Sequence, residues 1–124
     1  MFETAAVSIQ NVTKKFGGLV AVDHMDFVVR EHEVFGIIGP NGSGKTTMLN
    51  LISGMLKRSS GRVELYGKDI SGSSANRIAC HGVARTFQLV RMLPSMTVME
   101  NVAAGGVFGY RRYWGAKLKR RARY

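Results

Sequence analysis

Alternating apolar and polar positions predict strands in the first third of the chain. Val7 and Ile9 alternate with polar neighbours and are followed by Val12, which indicates a half-exposed strand over residues 5–12. A turn at residues 14–18 leads into a second predicted strand over residues 19–30. The short apolar run at residues 34–38 is rich in β-branched residues, a pattern typical of a strand buried on both faces of a parallel sheet. Together these elements predict a mixed sheet.

Helix signals begin directly after this apolar run. An apolar-periodic pattern starts near Lys45, and Gly54 is a suitable helix stop. The remaining predicted elements, in chain order, are a strand over residues 62–66, a short helix over residues 75–81, a buried strand over residues 83–87 and a helix that begins with the capping box Thr97–Glu100 and weakens at Gly105 and Gly106. The pattern therefore predicts one α/β domain.

The loop between the apolar run and the first helix matches the P-loop motif G-x-x-x-x-G-K-[ST] at every fixed position, from Gly39 to Thr46. Glycines let the backbone pass close to a phosphate and adopt positive φ. The helix beginning near Lys45 adds unpaired N–H groups and the positive end of its dipole. The predicted phosphate-binding residues are Gly39, Pro40, Asn41, Gly42, Ser43, Gly44, Lys45, Thr46 and Thr47.

Two side chains of this motif have separate predicted roles. Lys45 can reach the β- and γ-phosphates as a point charge, and the Thr46 hydroxyl can ligate Mg²⁺. The alternative is a glycine-rich turn without a ligand. The presence of the full motif between a strand pattern and a helix pattern favours nucleotide binding.

Composition limits the remaining classes of protein. The 124 residues suffice for one domain, no apolar run approaches the roughly 18 residues of a membrane span, and the start lacks the features of a secretory signal. Cys80 is the sole cysteine, which fits a reducing compartment, and it is expected to be a packed thiol. The histidines His24, His32 and His81 lack metal-ligand spacing and are predicted to be solvated. We therefore expect an intracellular soluble protein.

The net charge of +10 belongs mostly to one segment. Residues 110–124 contain seven basic residues and no acid, which leaves +3 for residues 1–109. Four aromatic residues lie among these charges: Tyr110, Tyr113, Trp114 and Tyr124. Such a segment can be a solvated face, a site for nucleic-acid phosphates and bases, or a contact with an anionic membrane surface. The solvated face is favoured, and no specific nucleic acid is expected.

Several of these signals in fixed order resemble the N-terminal half of an ATP-binding-cassette (ABC) transporter ATPase. Phe16 to Val22 and Arg85 to Gln88 flank the P-loop as Phe-Gly-Gly-Leu-x-Ala-Val and Arg-Thr-Phe-Gln flank it in the LivG-type ATP-binding subunit of branched-chain amino acid importers. The resemblance covers residues 7 to 109 well and the tail loosely. It implies a P-loop NTPase fold with a mixed sheet, made of the first part of a nucleotide-binding domain over residues 1–109 and the start of a helical subdomain over residues 110–124.

The resemblance also implies ligands and partners. Phe16 would stack on the adenine of ATP, although it can also be a core aromatic, and Gln88 would join Thr46 at the Mg²⁺. The stretch Leu89 to Met99 would meet a transmembrane permease, although its apolar side chains could equally pack inside the domain. A second ATP-binding subunit would complete the ATP site. The protein would then lie in the cytoplasm, on the inner face of the membrane, and couple ATP hydrolysis to import.

The 124 residues lack the other motifs that the resemblance leads one to expect. They contain no Leu-Ser-Gly-Gly-Gln signature, no apolar strand ending in a Mg²⁺-binding Asp with an adjacent catalytic Glu, and no switch histidine after them. The hypothesis is therefore a fold that is incomplete at its C-terminus and binds nucleotide with doubtful hydrolysis. Two alternatives remain, a different P-loop kinase or GTPase and a non-hydrolysing nucleotide-binding fragment. The guanine-reading pattern Asn-Lys-x-Asp is absent.

Overall fold

The structure is a computed structural model that describes residues 4–87 and 92–109, with side chains described as far as residue 104. The chain divides after Ala75 into two compact units. The first contains the sheet and the P-loop, and the second contains two helices. Three committed predictions lie outside the described residues: the position of Gln88, the first part of the predicted permease contact (89–91) and the basic segment over residues 110–124.

The described elements follow one another as four strands and three helices. They are β1 (Ala5–Phe16), β2 (Leu19–Arg30), α1 (Lys45–Ile52), β3 (Ser60–Leu65), β4 (Lys68–Asp69), α2 (Ala75–Cys80) and α3 (Val98–Gly109). The strands form one sheet in the order β2-β1-β3-β4, and each pairing between them is antiparallel. None of the helices in the described ranges is long and apolar enough to cross a membrane.

The hairpin of β1 and β2 is the longest pairing in the sheet, and β1 is longer than the sequence predicted. Lys14, Lys15 and Phe16 were expected in a turn, but they pair with Val22, Val20 and Leu19. Only the two glycines that follow Phe16 form the turn, and Gly17 has a φ of 56°. A two-residue turn containing a left-handed glycine lets strand pairing continue to the tip of the hairpin. The position of Phe16 is therefore fixed by the sheet.

The core of the first unit lies between the sheet and α1. It consists of the buried side chains of Ile9, Val12, Val22, Met48, Leu51, Val63, Leu65 and Ile70. Met48 and Leu51 come from one face of α1, three residues apart, which is the spacing expected of an amphipathic helix. The helix ends as predicted, because Ser53 is the C-cap and Gly54 adopts a φ of 72°.

The apolar run before the P-loop is not a strand in the described structure. Residues 33–40 have no ladder partner, and the side chains of Val34 and Ile38 are 99% and 97% exposed. Phe35 stacks on Phe27 of β2 at a centroid distance of 5.0 Å, and Ile37 is half-buried. The prediction of a strand buried on both faces is wrong here. A strand needs a hydrogen-bonded neighbour, and each described strand pairs only within the antiparallel sheet.

The second unit confirms two predicted helices and corrects one predicted strand. α2 covers nearly the predicted range, and its Ile78 is buried. Residues 83–87 form no strand, for the same reason as residues 33–40: no described strand pairs with them. α3 begins with the predicted capping box, in which the Thr97 N–H donates to Glu100 Oε2 over 2.8 Å and the Glu100 N–H donates to Thr97 Oγ1 over 3.3 Å. The helix continues through the two glycines where it was expected to weaken.

Candidate nucleotide-binding site

The P-loop ends at the N-terminus of α1 without any side-chain cap. Gly44 is the N-cap, and its carbonyl accepts the first helical hydrogen bond from the Met48 N–H over 2.8 Å. The first N–H groups of a helix have no acceptor within the helix, and the dipole makes this end electropositive. No acidic residue lies in the first turn of α1. These N–H groups are therefore available to an anion.

Glycine is required at two positions of the loop by close contacts. A Cβ at Gly44 would meet the carbonyl oxygen of Ala21 and lie 3.3 Å from Val22 Cγ2, both on β2. Gly44 also has a φ of 86°, a conformation that L side chains rarely adopt. A Cβ at Gly39 would lie 2.7 Å from the Ser43 hydroxyl. The motif glycines thus bring the loop against itself and against the second strand of the sheet.

The Lys45 side chain folds back over the loop. Its ammonium donates to the carbonyl oxygens of Gly39 over 2.7 Å and of Pro40 over 2.6 Å, and lies 3.5 Å from the Ser43 hydroxyl. The Ser43 N–H in turn donates to the Pro40 carbonyl over 3.2 Å. With these carbonyls bound by the ammonium, the loop presents a positive charge next to the N-terminal N–H groups of α1. A phosphate group is the kind of ligand that such a site suits.

Thr46 is the residue of this site that fits a magnesium ion. It lies in the first turn of α1 with its side chain exposed, and its hydroxyl is a hard oxygen ligand. Residues 4–87 and 92–109 contain no group of three acidic, histidine or cysteine side chains that could hold a metal ion. Mg²⁺ in nucleotide enzymes takes few protein ligands and several phosphate and water oxygens. The donor set therefore fits a metal that arrives with a nucleotide.

Phe16 lies at the tip of the β1–β2 hairpin with its ring partly open. The side chain is 44% exposed, and the Lys14 ammonium lies 4.8 Å from the ring centroid. Its register partner Leu19 is two residues from Ala21, which is about 7 Å at the rise of a strand. Because the backbone of Ala21 lies against Gly44, the hairpin carries Phe16 close to the same end of the P-loop. The structure thus brings Phe16 and residues 39–47 together within the first unit.

A different kind of surface lies at the start of α3. Its exposed apolar side chains are Met92, Leu93, Met96, Val98, Met99 and Val102. The loop that carries them is held by one side chain, that of Asn101. Its Oδ1 accepts from the Leu93 N–H over 2.8 Å, and its Nδ2 donates to the carbonyls of Leu93, Met96 and Thr97 over 3.0 to 3.2 Å. We call residues 92–102 the apolar loop surface.

The comparisons with known proteins identify the family. The sequence matches the ABC transporter family over residues 22–123, which is most of the chain. The chain belongs to the ABC transporter family.

Curated members of the family include close relatives of this chain. It is 42% identical over 96 residues to the high-affinity branched-chain amino acid transport ATP-binding protein BraF of Pseudomonas aeruginosa, covering 77% of this chain and 38% of that protein. It is also 42% identical over 98 residues to the probable branched-chain amino acid transport ATP-binding protein LivG of Methanocaldococcus jannaschii, covering 79% of this chain and 38% of that one. The chain therefore spans well under half the length of these ABC proteins.

Solved ABC structures share the fold. An ATP-binding cassette of an ABC transporter superposes with a TM-score of 0.75 at 39% identity, covering 86% of this chain and 42% of the cassette. A dimeric bacterial ABC transporter cassette superposes with a TM-score of 0.72 at 30% identity, covering 85% of this chain and 48% of the cassette. The predicted family and the predicted P-loop NTPase fold of an ABC ATPase are both confirmed.

Sequence reasoning missed two residues of these surfaces. Lys14 was placed in a turn, so its contact with Phe16 was not expected. The alternation of a strand would have shown it, because residues i and i+2 share one face. Asn101 follows the capping box, but nothing in the sequence indicates that its amide reaches back eight residues to Leu93. That contact depends on how the apolar loop surface folds.

Proposed function

We propose that this protein is the ATP-binding subunit of an ABC importer for branched-chain amino acids. The observation that carries the proposal is the P-loop itself, with its uncapped helix N-terminus and the Lys45 ammonium held over the loop. The substrate is inferred from the relatives, whose names assign them to branched-chain amino acid transport at about 40% identity.

Binding of the triphosphate is the step for which residues 39–47 are suited. The backbone N–H groups of the loop and of the first turn of α1 donate to phosphate oxygens. Lys45 exchanges its hydrogen bonds to the Gly39 and Pro40 carbonyls for contacts with the β- and γ-phosphates, or shares them. Each charge-assisted hydrogen bond contributes about 1.5–3 kcal/mol, so several of them suffice for a stable complex. Phe16 stacks on the adenine.

Thr46 and Gln88 hold the magnesium ion that accompanies the nucleotide. When bound, Mg²⁺ neutralises negative charge shared by the β- and γ-phosphates. Thr46 offers its hydroxyl from the first turn of α1, where the side chain is exposed. Gln88 is proposed from the sequence resemblance alone.

Hydrolysis requires groups that these 124 residues do not contain. The sequence has no apolar run ending in Asp-Glu and no Leu-Ser-Gly-Gly-Gln segment. Phosphoryl transfer depends on positioning a water and stabilising charge, so a chain without these groups should bind ATP with little turnover. The alternative function is accordingly a nucleotide-binding protein that does not hydrolyse ATP.

Two protein partners and a location complete the proposal. The apolar loop surface suits a transmembrane permease, because its methionines and leucine are exposed and adaptable. A second ATP-binding subunit would complete the ATP site, and the solved dimeric cassette supports this arrangement. The protein would then lie on the cytoplasmic face of the membrane.

The test is equilibrium binding of MgATP to the chain and to a Lys45→Met variant. Loss of the ammonium should weaken binding by roughly 10- to 100-fold, the equivalent of one charge-assisted hydrogen bond or slightly more. Lys57→Met removes an exposed lysine away from the loop and should change little, which controls for net charge. Equal affinity in the wild type and Lys45→Met would refute the proposed site. ATP turnover at an ordinary enzymatic rate would refute the proposed absence of hydrolysis.

A further inference from the structure

The contact between Lys14 and Phe16 has no part in the function proposed so far. The two side chains lie two residues apart on β1, and therefore on the same face of the strand. The Lys14 ammonium is placed over the ring, 4.8 Å from its centroid. This distance is well within the range of a cation–π interaction, which extends to about 6 Å.

The surroundings of Lys14 make the ring its main contact. Lys14 is half-buried, whereas the adjacent Lys15 is exposed. Among residues 4–87 and 92–109, no carboxylate forms an ion pair with the Lys14 ammonium. Its register partner is Val22, whose Cγ2 lies against Gly44 of the P-loop. The lysine thus lies between the hairpin tip and the phosphate-binding end of the site.

An aromatic ring has two faces, and a ligand base can stack on only one that is open. The lysine covers one face of Phe16, so a base must use the other. A cation on the far face draws electron density from the ring, which favours stacking with an electron-rich base. It also holds an exposed side chain in one orientation, so less freedom is lost when a nucleotide binds.

We propose that Lys14 is a positioning residue for the base of the bound nucleotide, acting through Phe16. This inference rests on the proposed function, since it assumes that Phe16 stacks on adenine. It assigns the lysine to base recognition and not to the triphosphate. The expected contribution is modest, because a cation–π contact at a partly exposed site changes an equilibrium constant by about 2- to 5-fold.

The experiment compares two ligands that share phosphates and differ in the base. Binding of MgATP and of inorganic tripolyphosphate is measured by titration calorimetry for the wild type and for Lys14→Met, which keeps the length of the side chain and removes its charge. We expect Lys14→Met to weaken MgATP binding by about 2- to 5-fold and to leave tripolyphosphate binding unchanged. Lys14→Arg should restore MgATP affinity, because a guanidinium can take the same position over the ring.

Matched variants exclude other causes. Lys15→Met makes the same change on the opposite face of β1 and should leave both ligands unaffected. A purely structural role of Lys14 would lower the affinity for both ligands, and so would direct contact with phosphates. Either result overturns the inference, as does an unchanged affinity for MgATP. If the wild type shows no MgATP binding that depends on Lys45, the proposed function falls as well. If it does, only the role of Lys14 falls.

Discussion

The P-loop and the apolar loop surface are shaped by opposite means and present opposite chemistry. The P-loop is shaped by glycines that pack against backbone and by an ammonium that binds two of its carbonyls. Its backbone N–H groups are left facing outward. The apolar loop is shaped by one amide side chain, Asn101, which binds backbone groups at three residues. Its side chains are left facing outward.

This difference in construction accounts for the different ligands that we propose for the two surfaces. A loop that exposes its backbone N–H groups suits an anion, because phosphate oxygens accept from several donors at once. A loop that uses its backbone internally and exposes methionine and leucine suits another protein. In each case a residue that binds no partner itself determines what the surface can bind. Substitutions of those residues should therefore separate the two surfaces.

The largest effect is expected from Gly44→Ala. The added Cβ would meet the Ala21 carbonyl oxygen, and the residue would be held at a φ of 86°, which alone costs roughly 1–2 kcal/mol. We expect the free energy of unfolding of the first unit to fall by about 2 kcal/mol or more and MgATP binding to be lost. Chemical denaturation and calorimetry measure the two quantities.

A matched glycine controls for this substitution. Gly36 has open space around the position of a Cβ and no left-handed φ. Gly36→Ala should therefore leave the stability within about 0.5 kcal/mol of the wild type, the usual effect of a surface substitution. Equal losses in the two variants would mean that the contact between the P-loop and β2 does not shape the loop.

A smaller effect is expected from Asn101→Leu, confined to the second unit. Leucine has a similar size but cannot accept from the Leu93 N–H or donate to the three carbonyls. Each lost hydrogen bond contributes about 0.5–1.5 kcal/mol, so exchange of the Leu93 amide hydrogen should accelerate by roughly 2- to 10-fold. MgATP binding should not change.

Asn76→Leu makes the same chemical change at an exposed position of α2 and should leave the Leu93 amide unaffected. If exchange at Leu93 is equal in the two variants, Asn101 does not hold the apolar loop. If Asn101→Leu abolishes MgATP binding, the two surfaces are not independent as the comparison requires.

The smallest effect concerns the pH dependence of the apolar loop surface. Hydrogen bonds from the Thr97 N–H and hydroxyl hold the pKa of Glu100 below its ordinary value of 4.5. A carboxyl group with a lowered pKa stabilises the fold above its ordinary value, and this stabilisation is lost as the pH falls through the folded-state pKa. The first turn of α3 should therefore loosen only below pH 4.5.

The Thr97 amide proton reports this titration directly in an NMR experiment. Its chemical shift should change with a midpoint below 4.5, and in Glu100→Gln it should stay constant through this range. A midpoint at or above the ordinary value would show that the capping box does not form in solution.

Local signals explain which parts of the fold the sequence could predict. The hairpin, α1 and the start of α3 were predictable because each forms between residues near one another in the chain. The P-loop motif likewise fixes its own glycines and lysine. The runs at residues 34–38 and 83–87 were predicted as buried strands from their apolar composition. Composition indicates a tendency to be buried, but a strand also requires a distant neighbour, and none of the described strands pairs with these runs.

The central claim is that residues 39–47 bind the triphosphate, and amide NMR tests it most directly. MgATP is added to the isotopically labelled chain, and the shift of each backbone amide is followed. The account predicts that the largest changes occur at the amides of the loop and the first turn of α1, from residue 42 to residue 47, with a smaller change at Phe16. Changes confined to the basic residues 110–124 would contradict it, because they would show that ATP is bound by charge alone.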